Sequence, residues 1–67
     1  MFYWMYRDTQ NFWRWRLYAG NNRIIAESGE SYHNRGDCES AIHLVKASQA
    51  APIRNHDDEA RNQQRSY

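Results

Sequence analysis

The stretch Phe12-Trp13-Arg14-Trp15-Arg16-Leu17-Tyr18-Ala19 alternates with a period of two and has no glycine or proline inside it, which is the pattern of a strand with one face in a core. It sends Trp13, Trp15, Leu17 and Ala19 to one side and Phe12, Arg14, Arg16 and Tyr18 to the other. The two arginines keep their guanidinium heads wet on the second side, so the Trp side is the face that the rest of the chain must cover.

Upstream, Met1 to Arg7 is rich in rings and reads as a first strand, followed by the polar turn formers Asp8-Thr9-Gln10-Asn11. The pairing of this hairpin is open. A four-residue loop pairs Trp4 with Trp15, whereas one additional looped or bulged residue pairs Met5 with it and exchanges the two faces of the strand.

Downstream, Gly20-Asn21-Asn22-Arg23 is a second turn. With Asn21 and Asn22 as a two-residue loop, Ala19 falls opposite Ile24, Leu17 opposite Ala26 and Arg16 opposite Glu27, which puts an opposite-charge pair on the arginine face. Arg23 to Ser28 thus forms a third strand of an antiparallel meander.

Ser28 to His33 reads as a loop. Asn34 is a helix N-cap with Asp37 three residues on, where its charge complements the helix dipole. Cys38, Ala41, Ile42 and Val45 follow at helical spacing and give one apolar stripe on about three turns. Lys46 lies in the last turn and Pro52 forbids continuation. Pro52-Ile53-Arg54 is a candidate short final strand, and the polar residues 56–67 read as a disordered tail behind a domain of residues 1–55.

A chain of 67 residues makes one small domain, whose isolated core is marginal. Cys38 is the lone cysteine, so no disulfide supplements that core, and no His/Cys/carboxylate group has the spacing of a structural zinc site. Oligomerisation is left as the favoured supplement. The formal net charge of +1 argues against nucleic-acid binding by bulk charge and against a polybasic membrane anchor. The apolar opening Met1–Tyr6 is broken by Arg7 and Asp8, too short for a signal sequence or a membrane span, and a soluble cytoplasmic chain is expected.

The order Tyr6-Arg7-Asp8, Trp13-Arg14-Trp15-Arg16-Leu17, Ala19, Asn21, Ile24-Ile25-Ala26, Ser28-Gly29-Glu30, Tyr32, then Cys38, Ile42, Val45 and Lys46 resembles the YegP-like family of small proteins. The likeness spans residues 3–46. It implies an α+β fold, a β-β-β-α-β unit in which one helix packs on one face of an antiparallel meander. Single units of such a family pair as homodimers with a continuous sheet and exchanged C-terminal strands, and no internal repeat is visible here. The family's usual polar residue at position 4 is Trp here, which implies that Tyr3 and Met5 face inward and Trp4 outward. Asn21-Asn22 stands where relatives often have Asn-Gly, at greater steric cost. No settled activity comes with the resemblance, so it implies an assembly and no reaction.

No residue set points to catalysis, a metal or a cofactor. Cys38 on the apolar stripe is expected to be an inert core thiol. His43 is expected to project to solvent, and His33 and His56 fall in loop and tail. Glu30 beside Ser28, Ser31 and Tyr32 lacks a partner that would make it an acid or base, and Asp57-Asp58-Glu59 reads as a solvated run. The constellation that remains is the sheet face opposite the helix, carrying Trp4, Tyr6, Arg14, Arg16 and Tyr18. Its expected use is structural or as a protein-contact surface, with the homodimer itself as first partner. Weak binding of single-stranded nucleic acid or another polyanion, by stacking and phosphate contacts, is the alternative.

Overall fold

The computed structural model describes residues 1–59. Strands β1 (Phe2–Arg7), β2 (Trp13–Tyr18) and β3 (Ile24–Glu27) form an antiparallel sheet in that order, followed by helix α1 (Arg35–Lys46) and a 3-10 turn over Ala47–Ala50. The class is α+β, a meander with one helix on one face.

Both hairpins are closed in the same way. In the first, Asn11 N–H donates to the Asp8 carbonyl at 2.9 Å and Asp8 N–H to the Phe12 carbonyl at 2.9 Å, with Asn11 in the left-handed region at φ 69°. In the second, Asn22 N–H donates to Ala19 at 3.1 Å and Ala19 N–H to Arg23 at 2.7 Å, with Asn22 at φ 63°. Each is a three-residue loop ending in a left-handed residue, a position asparagine tolerates better than other non-glycine residues.

The loops settle the pairing of the strands. Across the first, Met5 lies opposite Trp15, Tyr6 opposite Arg14 and Trp4 opposite Arg16, so Tyr3 and Met5 face the core and Trp4 faces away. Across the second, Leu17 pairs with Ala26 and Arg16 with Glu27, as the two-residue loop would have it, but Tyr18 and not Ala19 faces Ile24. The loop is one residue longer than expected, and an irregularity between Leu17 and Tyr18 absorbs the extra residue on β3. The two differences cancel along β2.

The connection 28–33 is more ordered than a plain loop. Ser28 N–H donates to the Trp15 carbonyl at 2.9 Å, and Ser28 Oγ accepts from Trp15 N–H at 3.2 Å. After the bend at Gly29 and Glu30, Tyr32 returns to make two 2.8 Å hydrogen bonds with Trp13. This segment therefore continues the edge beside β2 and carries the chain to the helix start.

Asn34 caps α1 from an extended conformation, its Oδ1 accepting from Asp37 N–H at 2.8 Å while its Nδ2 donates to the Asp37 carboxylate at 3.1 Å. The stripe of α1 meets the inner sheet face as expected. Among the described residues, Trp15, Cys38 and Ile42 are buried, with Tyr3, Met5, Trp13, Leu17, Ala26, Tyr32, Ala41 and Val45 partly buried around them. Tyr3 meets the Trp15 ring edge-on at 5.7 Å. Helical structure stops at Ala51, the residue before Pro52, which takes ψ 130° because the proline ring disfavours a helical neighbour.

The Pro52–Arg54 segment is not a strand of this chain's sheet; it is exposed and carries no assigned secondary structure. Beyond it, residues 56–59 form a helical turn for which Asn55 Oδ1 accepts from Asp57 N–H at 2.9 Å, and Arg54 pairs with Glu59. The rest of the expected tail, residues 60–67, lies outside the described residues.

Candidate interaction surfaces

The alternation of β2 determines which side chains share the outer face. Arg14, Arg16 and Tyr18 point away from the helix, and the pairing with β1 sets Tyr6, Trp4 and Phe2 opposite them in turn. All five residues singled out from the sequence, Trp4, Tyr6, Arg14, Arg16 and Tyr18, thus lie on one face. Phe2 and Ile24 join them as direct partners of Tyr18.

Both arginines of this face are paired. Arg14 Nε donates to Asp8 Oδ2 at 2.6 Å, and the other oxygen of the same carboxylate accepts from Gln10 N–H at 2.9 Å and Phe12 N–H at 3.0 Å. The hydrogen bond from Arg14, followed by that from the Phe12 backbone, holds the Asp8 carboxyl below the usual carboxylate range. Arg14 is raised in turn by Asp8. Arg16 Nε donates to Glu27 Oε1 at 3.0 Å, the cross-strand pair expected from the sequence, and its guanidinium lies 4.8 Å from the centre of the Tyr6 ring. Its affinity for its proton is raised, first by the contact with the Tyr18 hydroxyl.

Phe2 and Tyr18 stack at 5.1 Å with their planes 21° apart. Rings thus lie alongside guanidinium groups on this face, and each of its two arginines has a carboxylate partner. Trp4 (55% exposed), Ile25 (53%), Ile24 (47%) and Phe2 (45%) leave much apolar surface in water. Asp8, Phe2 and Ile24 were not among the residues singled out from the sequence.

A second surface lies at the edge of β1 that no other strand among the described residues pairs with. Tyr3, Met5, Glu39, Ile42, His43 and Lys46 line an open groove of about 210 Å³ between that strand and α1. Its floor is apolar and its helix side carries charge. Lys46 Nζ sits 5.8 Å over the Tyr3 ring.

The remaining candidates stay apart. Cys38 is fully buried, and burial, assisted by the charge of Glu39, pushes its thiol up, away from the reactive thiolate. His43 is exposed on α1, His33 rests edge-on against Phe12 at 5.1 Å, and His56 contacts its neighbour Asp57. Glu30 is exposed in the bend after Gly29. Among the described residues no three of His, Cys, Asp and Glu converge as a metal site would need, and no helix is long and apolar enough to cross a membrane.

A three-stranded meander under one helix, with an outer face of rings and paired arginines and a groove at one edge, defines a small α+β domain built of surfaces more than of pockets. Residues 8–54 match the family described as "Domain of unknown function (DUF1508)". The chain belongs to that family, the YegP-like group that its sequence resembles. It is similar to the UPF0339 protein NMB1088 of Neisseria meningitidis serogroup B, at 41% identity over 51 residues that cover 76% of this chain and 89% of the relative. The UPF0339 protein NMA1193/NMA1859 of serogroup A matches to the same extent. A UPF0339 protein of Treponema denticola is 43% identical over 42 residues, 63% of this chain and 71% of the relative. None of these names carries an activity, and the chain is a small domain of uncharacterised function.

Proposed function

We propose that the domain is a non-enzymatic interaction module of the cytoplasm that works as a homodimer, each copy adding its Pro52-Ile53-Arg54 segment to the sheet of the other. Ile53 carries this reading: it is 101% exposed in a segment with no assigned strand, although it is a β-branched residue suited to a sheet. An isoleucine left in water forgoes about 1.5 to 3 kcal/mol of burial. The groove between β1 and α1 is the receiving surface, because it combines an unpaired strand edge with the apolar floor of Tyr3, Met5 and Ile42.

One further observation supports the same reading. The core of one chain is small, with Trp15, Cys38 and Ile42 as its buried apolar residues among those described.

Light scattering on the full chain and on Ile53→Asp tests the proposal. The expected result is twice the 8.1 kDa chain mass for the wild type, with dissociation in the variant. A wild type of single-chain mass at high micromolar concentration would sink the reading.

A further inference from the structure

We infer that the outer sheet face is a second self-association surface, through which two exchanged dimers meet sheet to sheet. This rests on the preceding proposal only for the width of the face. The residue types are those that dominate protein interfaces: Trp4, Tyr6 and Tyr18 with Arg14 and Arg16. Lysine, which interface centres avoid, is missing from β1, β2 and β3.

Charge decides against an anionic occupant. Arg14 is held by Asp8 at 2.6 Å and Arg16 by Glu27 at 3.0 Å, so the two cations of the face are matched by two carboxylates. A polyanion gains little from a face already neutral, and releases few counterions on binding it. A neutral face with both signs in equal number is instead complementary to a copy of itself turned about a two-fold axis.

Shape points to the same occupant. The Arg16 guanidinium lies over the Tyr6 ring and Phe2 stacks on Tyr18, so these side chains are packed on one another, and a second sheet would meet them at the ordinary spacing of about 10 Å. Two strands of six residues and one of four cover about 250 Å² in projection. Two such faces pressed together fall well short of the roughly 1,000 Å² that a stable interface buries, whereas the sheets of two exchanged dimers, each twice as wide, reach about that figure in total. Face-to-face pairing therefore belongs to the dimer, and the assembly it builds is a tetramer.

The test is sedimentation of the full chain from low micromolar to several hundred micromolar, with Trp4→Glu, the milder Trp4→Ser, and Ile53→Asp, each checked by circular dichroism. The expected wild type passes from dimer to tetramer. Both Trp4 variants should keep the dimer and weaken the tetramer at least tenfold. A wild type that stays dimeric throughout overturns this inference and leaves the strand exchange standing. A dimer split by Trp4→Glu but not by Ile53→Asp overturns the inference together with the exchange on which its tetramer is built. Wild type retained on heparin or shifting single-stranded DNA at low salt, with both effects lost in the Arg14→Glu/Arg16→Glu pair, overturns it in favour of a polyanion site.

Discussion

Asp8 and Arg14 are joined at 2.6 Å across the first hairpin, and the same carboxylate accepts two backbone N–H groups of the loop between them. One side chain thus ties the turn to the outer face of β2. The fold lowers the Asp8 pKa, so the native state holds its proton less readily than the unfolded chain does. The stabilisation from this group is therefore present above the unfolded value of about 3.9 and is lost as pH falls through the lower folded value. Thermal melts of wild type and Asp8→Asn should converge as pH falls from about 5 to well below the unfolded value, with the wild type more stable only at the upper end. Parallel curves would show that the carboxylate charge contributes nothing.

Trp15→Ala should cost about 3 to 5 kcal/mol, since the ring is 7% exposed and fills the contact between sheet and helix. Arg14→Ala should cost far less, because that side chain is 37% exposed and its ion pair is screened. Trp15→Phe keeps most of the packing and removes the buried N–H that has no acceptor, so it should be much milder than Trp15→Ala. Urea titrations rank the three, and equal losses at Trp15 and Arg14 would mean that the inner and outer faces have been confused.

These contrasts mark where the sequence was legible. The period of two in β2, the helical stripe at Cys38, Ala41, Ile42 and Val45, and the Arg16–Glu27 pair follow from side-chain chemistry at fixed spacing. The link between Asp8 and Arg14 did not, because it depends on the loop length, and a single left-handed residue, Asn11, decides that length. The same cause displaced Ile24 from Ala19 to Tyr18. The bridge between Trp13 and Tyr32 is made by backbone atoms alone, so no side-chain pattern announces it within a stretch of glycine, serine and glutamate.

Asn22→Gly should raise stability and Asn22→Ala should lower it. The residue closes the second hairpin at φ 63°, where a Cβ without a polar side chain costs about 1 to 2 kcal/mol and glycine incurs no such cost. Thermal denaturation checks the order Gly above Asn above Ala. A reversed order would mean that this turn does not keep its left-handed residue.

At the helix start, Asn34→Ala should cost about 1 kcal/mol by removing the acceptor that Asp37 N–H uses at 2.8 Å. Asn34→Ser or Asn34→Asp should recover most of it, since either side chain can cap the same N–H. Failure of both to rescue would place the loss in the connection from Tyr32 and not in the cap.

Cys38 should be silent toward a thiol reagent in the native protein and react fully once unfolded. It is 0% exposed, it sits in the seam between α1 and the sheet with Trp15 and Ile42, and burial keeps its thiol protonated at a pH where a free cysteine begins to ionise. Its reaction with Ellman's reagent at mildly alkaline pH therefore reports the opening of helix from sheet. The rate should be slow in the wild type. Trp15→Ala should speed it, because that change loosens the partner of the thiol, while Trp4→Ser on the opposite face should leave it unchanged. Rapid modification of the native wild type would show that the helix parts from the sheet far more readily than this packing allows.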